Sequence, residues 1–87
     1  MIDLDFSPKF KKQFGVLSEK IKSKVHERLK IFTLNESDPI LNNHQLHGEY
    51  AGCRSINITG DIRIIYKKSN ENHYRLLVIG THSQLYE

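Results

Sequence analysis

The chain has a single cysteine, Cys53, among its 87 residues, so no internal disulfide can form. A small domain without such staples suits a reducing compartment, and the expected location is the cytoplasm. No stretch approaches the ~20 consecutive apolar residues of a membrane span. Met1 to Phe14 alternates apolar with charged residues and has none of the regions of a secretory signal, so the chain reads as soluble and unprocessed, with no membrane partner. Internal repeats, low-complexity tracts and interdomain linkers are also missing. Eighty-seven residues cannot divide into two independent cores, which leaves one domain, residues 1–87. With 38% hydrophobic and 26% charged residues, the composition is that of a globular protein rather than a disordered one.

What is present is unevenly spread. Residues 1–34 carry eight Lys/Arg against four Asp/Glu, a balance of +4, whereas residues 35–87 carry five against six, a balance of −1; the sum is the net +3 of the whole chain. Such an excess suits a polyanion or an acidic protein partner, and it equally suits a solvated helix face.

Ile2-Asp3-Leu4-Asp5-Phe6 alternates with period two and reads as a half-buried strand. Ser7-Pro8 is a helix start, with serine as N-cap and proline in the first turn, opening a helix to about Leu17. Ser18 caps a second, longer helix, in which Ile21, Val25, Leu29 and Phe32 form one apolar stripe and the lysines lie mostly opposite. Asn35 to Asn43 reads as a loop, and His44 to Gly52 as a short extended piece with turns at Gly48 and Gly52. Arg54 to Thr59, Ile62 to Lys68 and His73 to Ile79 are β-rich runs joined at Gly60-Asp61 and at Ser69 to Asn72. The expected fold class is α+β: an N-terminal strand, a two-helix antiparallel hairpin, then three to four antiparallel strands in a sheet with helices on one face.

Polar groups of catalytic type cluster at strand ends. Asp61 and Arg63 flank Ile62, so strand alternation turns both to one face. They can act together there, or Arg63 can simply pair with Asp61 or Glu49 across a sheet edge. Gly80-Thr81-His82-Ser83-Gln84-Leu85-Tyr86 follows the most apolar strand. Leu85 can anchor this segment so that His82 and Tyr86 are held against the body, either as functional groups or as a cap on the core. His44 and His47, three residues apart, read as metal ligands, bases or surface residues. Zinc needs at least three protein ligands and Cys53 is remote in sequence, so no metal site and no cofactor are assigned. An acid, a guanidinium, imidazoles and a phenol are together the set that cleaves a phosphodiester by proton transfer and charge neutralisation.

These residues resemble the RelE/ParE superfamily of bacterial type II toxin–antitoxin toxins, most closely its YafQ-like ribosome-dependent mRNA endonucleases. The resemblance spans nearly the whole chain. It lies in the two helices after an edge strand, His44-x-Leu46-x-Gly48, Arg54 opening a strand, Asp61-x-x-x-x-Tyr66, and the terminal Gly80-Thr81-His82-Ser83-x-Leu85-Tyr86. It implies acid–base roles for His44, Asp61 and His82, a phosphate-facing Arg63, and a C-terminal aromatic at Tyr86. Asn57 stands where YafQ-like proteins tend to have another histidine, and Val78 where they tend to have an arginine. Substrate-binding candidates are Arg54, His47, Lys67 and Lys68.

The resemblance further implies mRNA on the ribosome as substrate and an acidic antitoxin segment as partner in a toxin–antitoxin hetero-oligomer. The RNA 2′-hydroxyl would be the nucleophile, so DNA would be inert. On this reading Arg63 clamps the transition state and His82 is the leading general acid. His44 or Asp61 is the base or orients it. The alternatives are a ParE-like inhibitor of DNA gyrase, or a degenerate member that only binds antitoxin.

Overall fold

The computed structural model describes residues 2–86, except the side chain of Tyr86. Strand β1 (Asp3–Phe6) leads into helices α1 (Pro8–Gly15) and α2 (Glu19–Leu34). An irregular stretch reaches the two-residue strand β2 (His44–Gln45). Strands β3 (Arg54–Asn57), β4 (Ile62–Asn70) and β5 (His73–Thr81) follow, and a short helix α3 (His82–Tyr86) comes last. The sheet order is β1-β5-β4-β3-β2. Strands β2 to β5 are antiparallel to their neighbours, as the sequence suggests, whereas β1 joins β5 in parallel and makes the sheet mixed. That pairing follows from connectivity. The helical hairpin crosses one face of the sheet and returns the chain to the far edge, so β1 enters beside the last strand.

Both helix starts form as the serines dictate: Ser7 Oγ accepts the Phe10 amide at 3.0 Å and Ser18 Oγ accepts the Ile21 amide at 3.2 Å. Ser7 also ties the hairpin to the sheet by donating to the Leu77 carbonyl at 2.6 Å. The β4–β5 register slips beside Leu77, and past it the Ile79 amide donates to Gln13 Oε1 of α1 at 3.0 Å. Side chains of the hairpin thus satisfy the β5 backbone where β1 has ended, as a buried polar backbone requires.

The main core lies between the helices and one sheet face, around Phe10, Val25, Phe32, Ile56, Ile64 and Leu76. Phe32 is fully buried, edge-on to both Tyr66 and Tyr74. A smaller cluster sits on the opposite face, where Leu46, Cys53, Ile65, Val78 and Leu85 are buried together. No helix is long and apolar enough to cross a membrane among the described residues.

Candidate active site

Strand alternation sorts the candidate residues between the two faces. Ile64, Tyr66, Ile56 and Ile58 point into the helix-covered core, so Arg63, Ile65, Ser55 and Asn57 point to the other, open face. Register then sets the neighbours: His44 lies opposite Ser55, Ser55 opposite Ile65, and Ile65 opposite Val78. One step along, Asn57 lies opposite Arg63, and Arg63 opposite Gly80. With strands ~4.8 Å apart, the row from His44 to Val78 is about 14 Å wide, and its middle is buried, with Ile65 and Val78 packed among Leu46, Cys53 and Leu85.

The small apolar cluster packs along this row, the trough between β2 and α3, and holds both sides of it. Leu46 anchors β2 two residues after His44, and Leu85 anchors α3 three residues after His82. The start of α3 is fixed by a reciprocal cap, in which the Thr81 amide donates to Gln84 Oε1 at 2.8 Å and the Gln84 amide donates to Thr81 Oγ1 at 3.2 Å. The His82 amide donates to the Asp61 carbonyl at 3.1 Å, which joins α3 to the β3–β4 turn. Gly80 sits directly beneath α3. A Cβ there would meet Gln84 Oε1 at 2.9 Å and Leu85 Cδ2 at 3.3 Å, so a larger residue would push the Gln84 side chain off its cap.

Arg63 rises from the floor of the trough, half-buried. Its Nη1 donates to the Thr59 and Gly60 carbonyls, each at 3.1 Å, which leaves Nε and Nη2 without a hydrogen bond among the described residues. The alternative pairing of Arg63 with Asp61 or Glu49 is absent among them. Asp61 is exposed in the turn before β4. His44 is exposed, and its Nδ1 lies 2.9 Å from the Asn42 carbonyl oxygen. A carbonyl can only accept, so Nδ1 carries the proton and Nε2 of the neutral ring is a free lone pair. The Asn42 carbonyl is aimed by a left-handed backbone, φ 45° and ψ 48°.

The structure therefore gathers His44, Asp61, Arg63 and His82 on or beside one face. Lys67 lies on that same face by alternation, in register with Arg75. Tyr86 closes α3, and its side chain lies outside the described residues. His47 is exposed and leads into the turn over Gly48–Tyr50. Arg54 and Lys68 are elsewhere: they line a polar cleft of ≈ 590 Å³ with Glu36, Asp38, Asn42 and Asn43, on the helix side of the sheet. Arg54 shares the parity of Ile56, and Lys68 that of Tyr66, so period-two alternation already separates them from Arg63. Sequence reasoning passed over Ser55, and it treated Asn57 only as a departure. Ser55 Oγ and Asn57 Oδ1 are buried without a hydrogen-bond partner among the described residues, between His44 and Arg63. Their signal is two polar side chains alternating with isoleucines in an otherwise β-rich run. Among the described residues no group of three or more His, Cys, Asp or Glu converges to hold a metal ion.

A mixed five-stranded sheet with a helical hairpin on one face is the architecture of the small RelE/ParE-type toxins. YafQ from E. coli superimposes with a TM-score of 0.83 at 20% identity, each chain covered in full. A YoeB/ParE toxin from Agrobacterium tumefaciens gives 0.80 at 15% identity, over 93% of this chain and 99% of that one. YafQ in its E. coli complex with DinJ gives 0.74 at 23% identity, again over both full chains. No curated protein matches the chain by sequence. The family model described as "Bacterial toxin of type II toxin-antitoxin system, YafQ" matches residues 2–87, and the chain belongs to that family.

Proposed function

We propose that this toxin is a metal-independent endoribonuclease acting on mRNA at the ribosome. The observation that carries the reading is the contact between His44 Nδ1 and the Asn42 carbonyl. Held by the Asn42 carbonyl, its Nδ1 keeps the proton and its Nε2 presents a lone pair at the rim of the trough, which is what a general base for the RNA 2′-hydroxyl requires. This favours His44 as the base and leaves His82, across the trough on α3, to protonate the departing 5′-oxygen. Arg63 lies between them in the register of the sheet, and its unengaged Nε and Nη2 suit the charge that builds on the phosphorane oxygens. Asp61, at the α3 junction, orients the acid side of the site. Lys67 binds a flanking phosphate without reading sequence. Tyr86 stacks on a base. Each donor and acceptor needed to move two protons and offset one charge belongs to the chain itself.

The helical hairpin carries the basic excess, and this suits an acidic antitoxin segment that folds on binding and steers association by charge. Related complexes pair YafQ with DinJ in E. coli and YoeB with YefM in Staphylococcus aureus, which supports a hetero-oligomer here. A cytoplasmic site of action follows from a ribosomal substrate.

Brief expression of the chain with mapping of mRNA 5′ ends tests the reading. In-frame cuts within translated regions, lost in His44→Ala, are expected. Intact messages with trapped gyrase–DNA complexes would overturn it in favour of a ParE-like inhibitor, and no toxicity at all would leave only antitoxin binding.

A further inference from the structure

Behind β2, on the helix side of the sheet, lies a hydrogen-bonded group that the cleavage chemistry does not touch. Asn43 is its hub. The Asn43 Nδ2 donates to the Glu36 carbonyl at 2.9 Å and to the Tyr66 hydroxyl at 2.7 Å, and Oδ1 accepts from Arg54 Nε at 2.7 Å. Arg54 can only donate, so the amide orientation is fixed. Tyr66 in turn donates to Glu36 Oε2 at 3.1 Å, and the other Glu36 oxygen receives Tyr74 at 2.5 Å and Lys68 at 2.8 Å. One side chain thus pins residue 43 to the loop after α2, to β3 and to β4 together.

Residue 43 lies between the two residues that set the base, Asn42 with its left-handed carbonyl and His44 with its imidazole. The Asn42 amide donates to the Pro39 carbonyl at 3.1 Å and Leu41 before it is fully buried, while among the described residues no other side-chain bond reaches residues 42–44 from the sheet. Strand β2 is two residues long, exposed, and paired on one side only. A left-handed asparagine is tolerated but strained, so its backbone relaxes unless neighbouring contacts over-determine it. Leu46 secures the strand on its far side by packing and by an amide bond to the Cys53 carbonyl at 3.0 Å. Asn43 is the corresponding hold on the near side.

We infer that Asn43, anchored by Tyr66, Glu36 and Arg54 on the helix-covered face, is a positioning residue that fixes the Asn42 carbonyl against His44 Nδ1 and so sets the tautomer of the base on the opposite face. The anchor stays in one protonation state over the working range. Burial above all pushes the Tyr66 phenol up to about 12, so its hydroxyl remains able to donate to Glu36 and accept from Asn43. The role given to His44 rests on the nuclease reading above, whereas the hold on its ring does not.

Two measurements separate the inference from that reading. Long-range ¹H–¹⁵N spectra of the free protein report the His44 tautomer without substrate, and ribosome-dependent cleavage reports kcat and KM. In the wild type the Nδ1–H form is expected to dominate. In Asn43→Ala it should give way to the Nε2–H form, with kcat falling about tenfold and KM changing less than about twofold, the pattern of a misplaced rather than a missing group. Tyr66→Phe keeps the buried ring and removes the hydroxyl, and a smaller shift in the same direction is expected; it carries the test if Asn43→Ala does not fold. A folded Asn43→Ala or Tyr66→Phe with the wild-type tautomer overturns the inference. A tautomer shift in a protein whose wild type cuts no RNA upholds the hold on His44 and overturns the nuclease reading instead.

Discussion

On the helix-covered face of the sheet, the Glu36 carboxylate collects three donors within 3.1 Å, and the Asn43 amide uses both its ends. On the open face of the same strands, Ser55 Oγ and Asn57 Oδ1 are buried without a partner among the described residues, and Arg63 leaves two of its nitrogens unengaged. An unsatisfied buried polar group costs about 1–3 kcal/mol, which a marginally stable small domain tolerates only in few places. Successive residues of β3 and β4 therefore do different work. Those turned inward complete their hydrogen bonds and hold the fold, and those turned outward leave theirs incomplete among the described residues.

Phe32→Ala should sharpen the contrast most. It hollows the main core and should cost about 3–5 kcal/mol of stability, read by denaturant unfolding. Arg63→Ala is its counterpart on the open face: an expected loss of ~10²–10³ in kcat with about 1 kcal/mol or less of stability, and a larger stability loss than rate loss would break the division.

Alkaline pH probes the inner face alone. Burial raises the Tyr66 phenol from 10.0 to about 12, so the folded state favours its neutral form. That contribution, on the order of 2 kcal/mol, is complete below pH 10 and lost as pH rises toward 12. Glu36 works in the other direction. Burial alone would raise its carboxyl, but hydrogen bonds from Lys68, Tyr74 and Tyr66 more than reverse this and hold it below 4.5. Its contribution is present above that value and fades as pH falls below it. A melting temperature that declines at both ends is expected, and in Tyr66→Phe the alkaline decline should shrink.

The mildest change is Gln84→Ala. It removes one arm of the α3 cap, costs about 1 kcal/mol, and should lower kcat several-fold by loosening His82; unchanged cleavage would show that α3 does not position the acid.

Local chemistry made much of this legible. Alternation over Ile2 to Phe6, serine before proline, and the Ile21-Val25-Leu29-Phe32 stripe each specify an element through interactions only a few residues long. The parallel entry of β1 beside β5 was not legible, because it depends on where the hairpin delivers the chain rather than on any residue in β1. Helix α3 carried a signal that went unused, since Thr81-x-x-Gln84 is a capping pattern and the segment reads otherwise as a tail. In the site, alternation sets Arg63 on the face away from Ile62 and Ile64, whereas Asp61 lies in the turn before β4 and outside its reach. Applied to β3 and to the end of β4, the same rule removes Arg54 and Lys68 from the trough and brings in Ser55 and Asn57. The contact of His44 Nδ1 with the Asn42 carbonyl goes with a left-handed backbone at Asn42, which no spacing of residue types reveals.

The pairing of Asp3 with His73 sets a timetable for synthesis. Strand β5 is bordered by β1 on one side and β4 on the other, so the sheet closes only after residues 73–81 have left the exit tunnel. Contacts this distant along the chain form slowly, and until they do β1 has no partner and His82 has no wall to stand on. A nascent chain of this kind has no closed sheet while it is being made, and any message truncated before β5 yields a polypeptide without a centre.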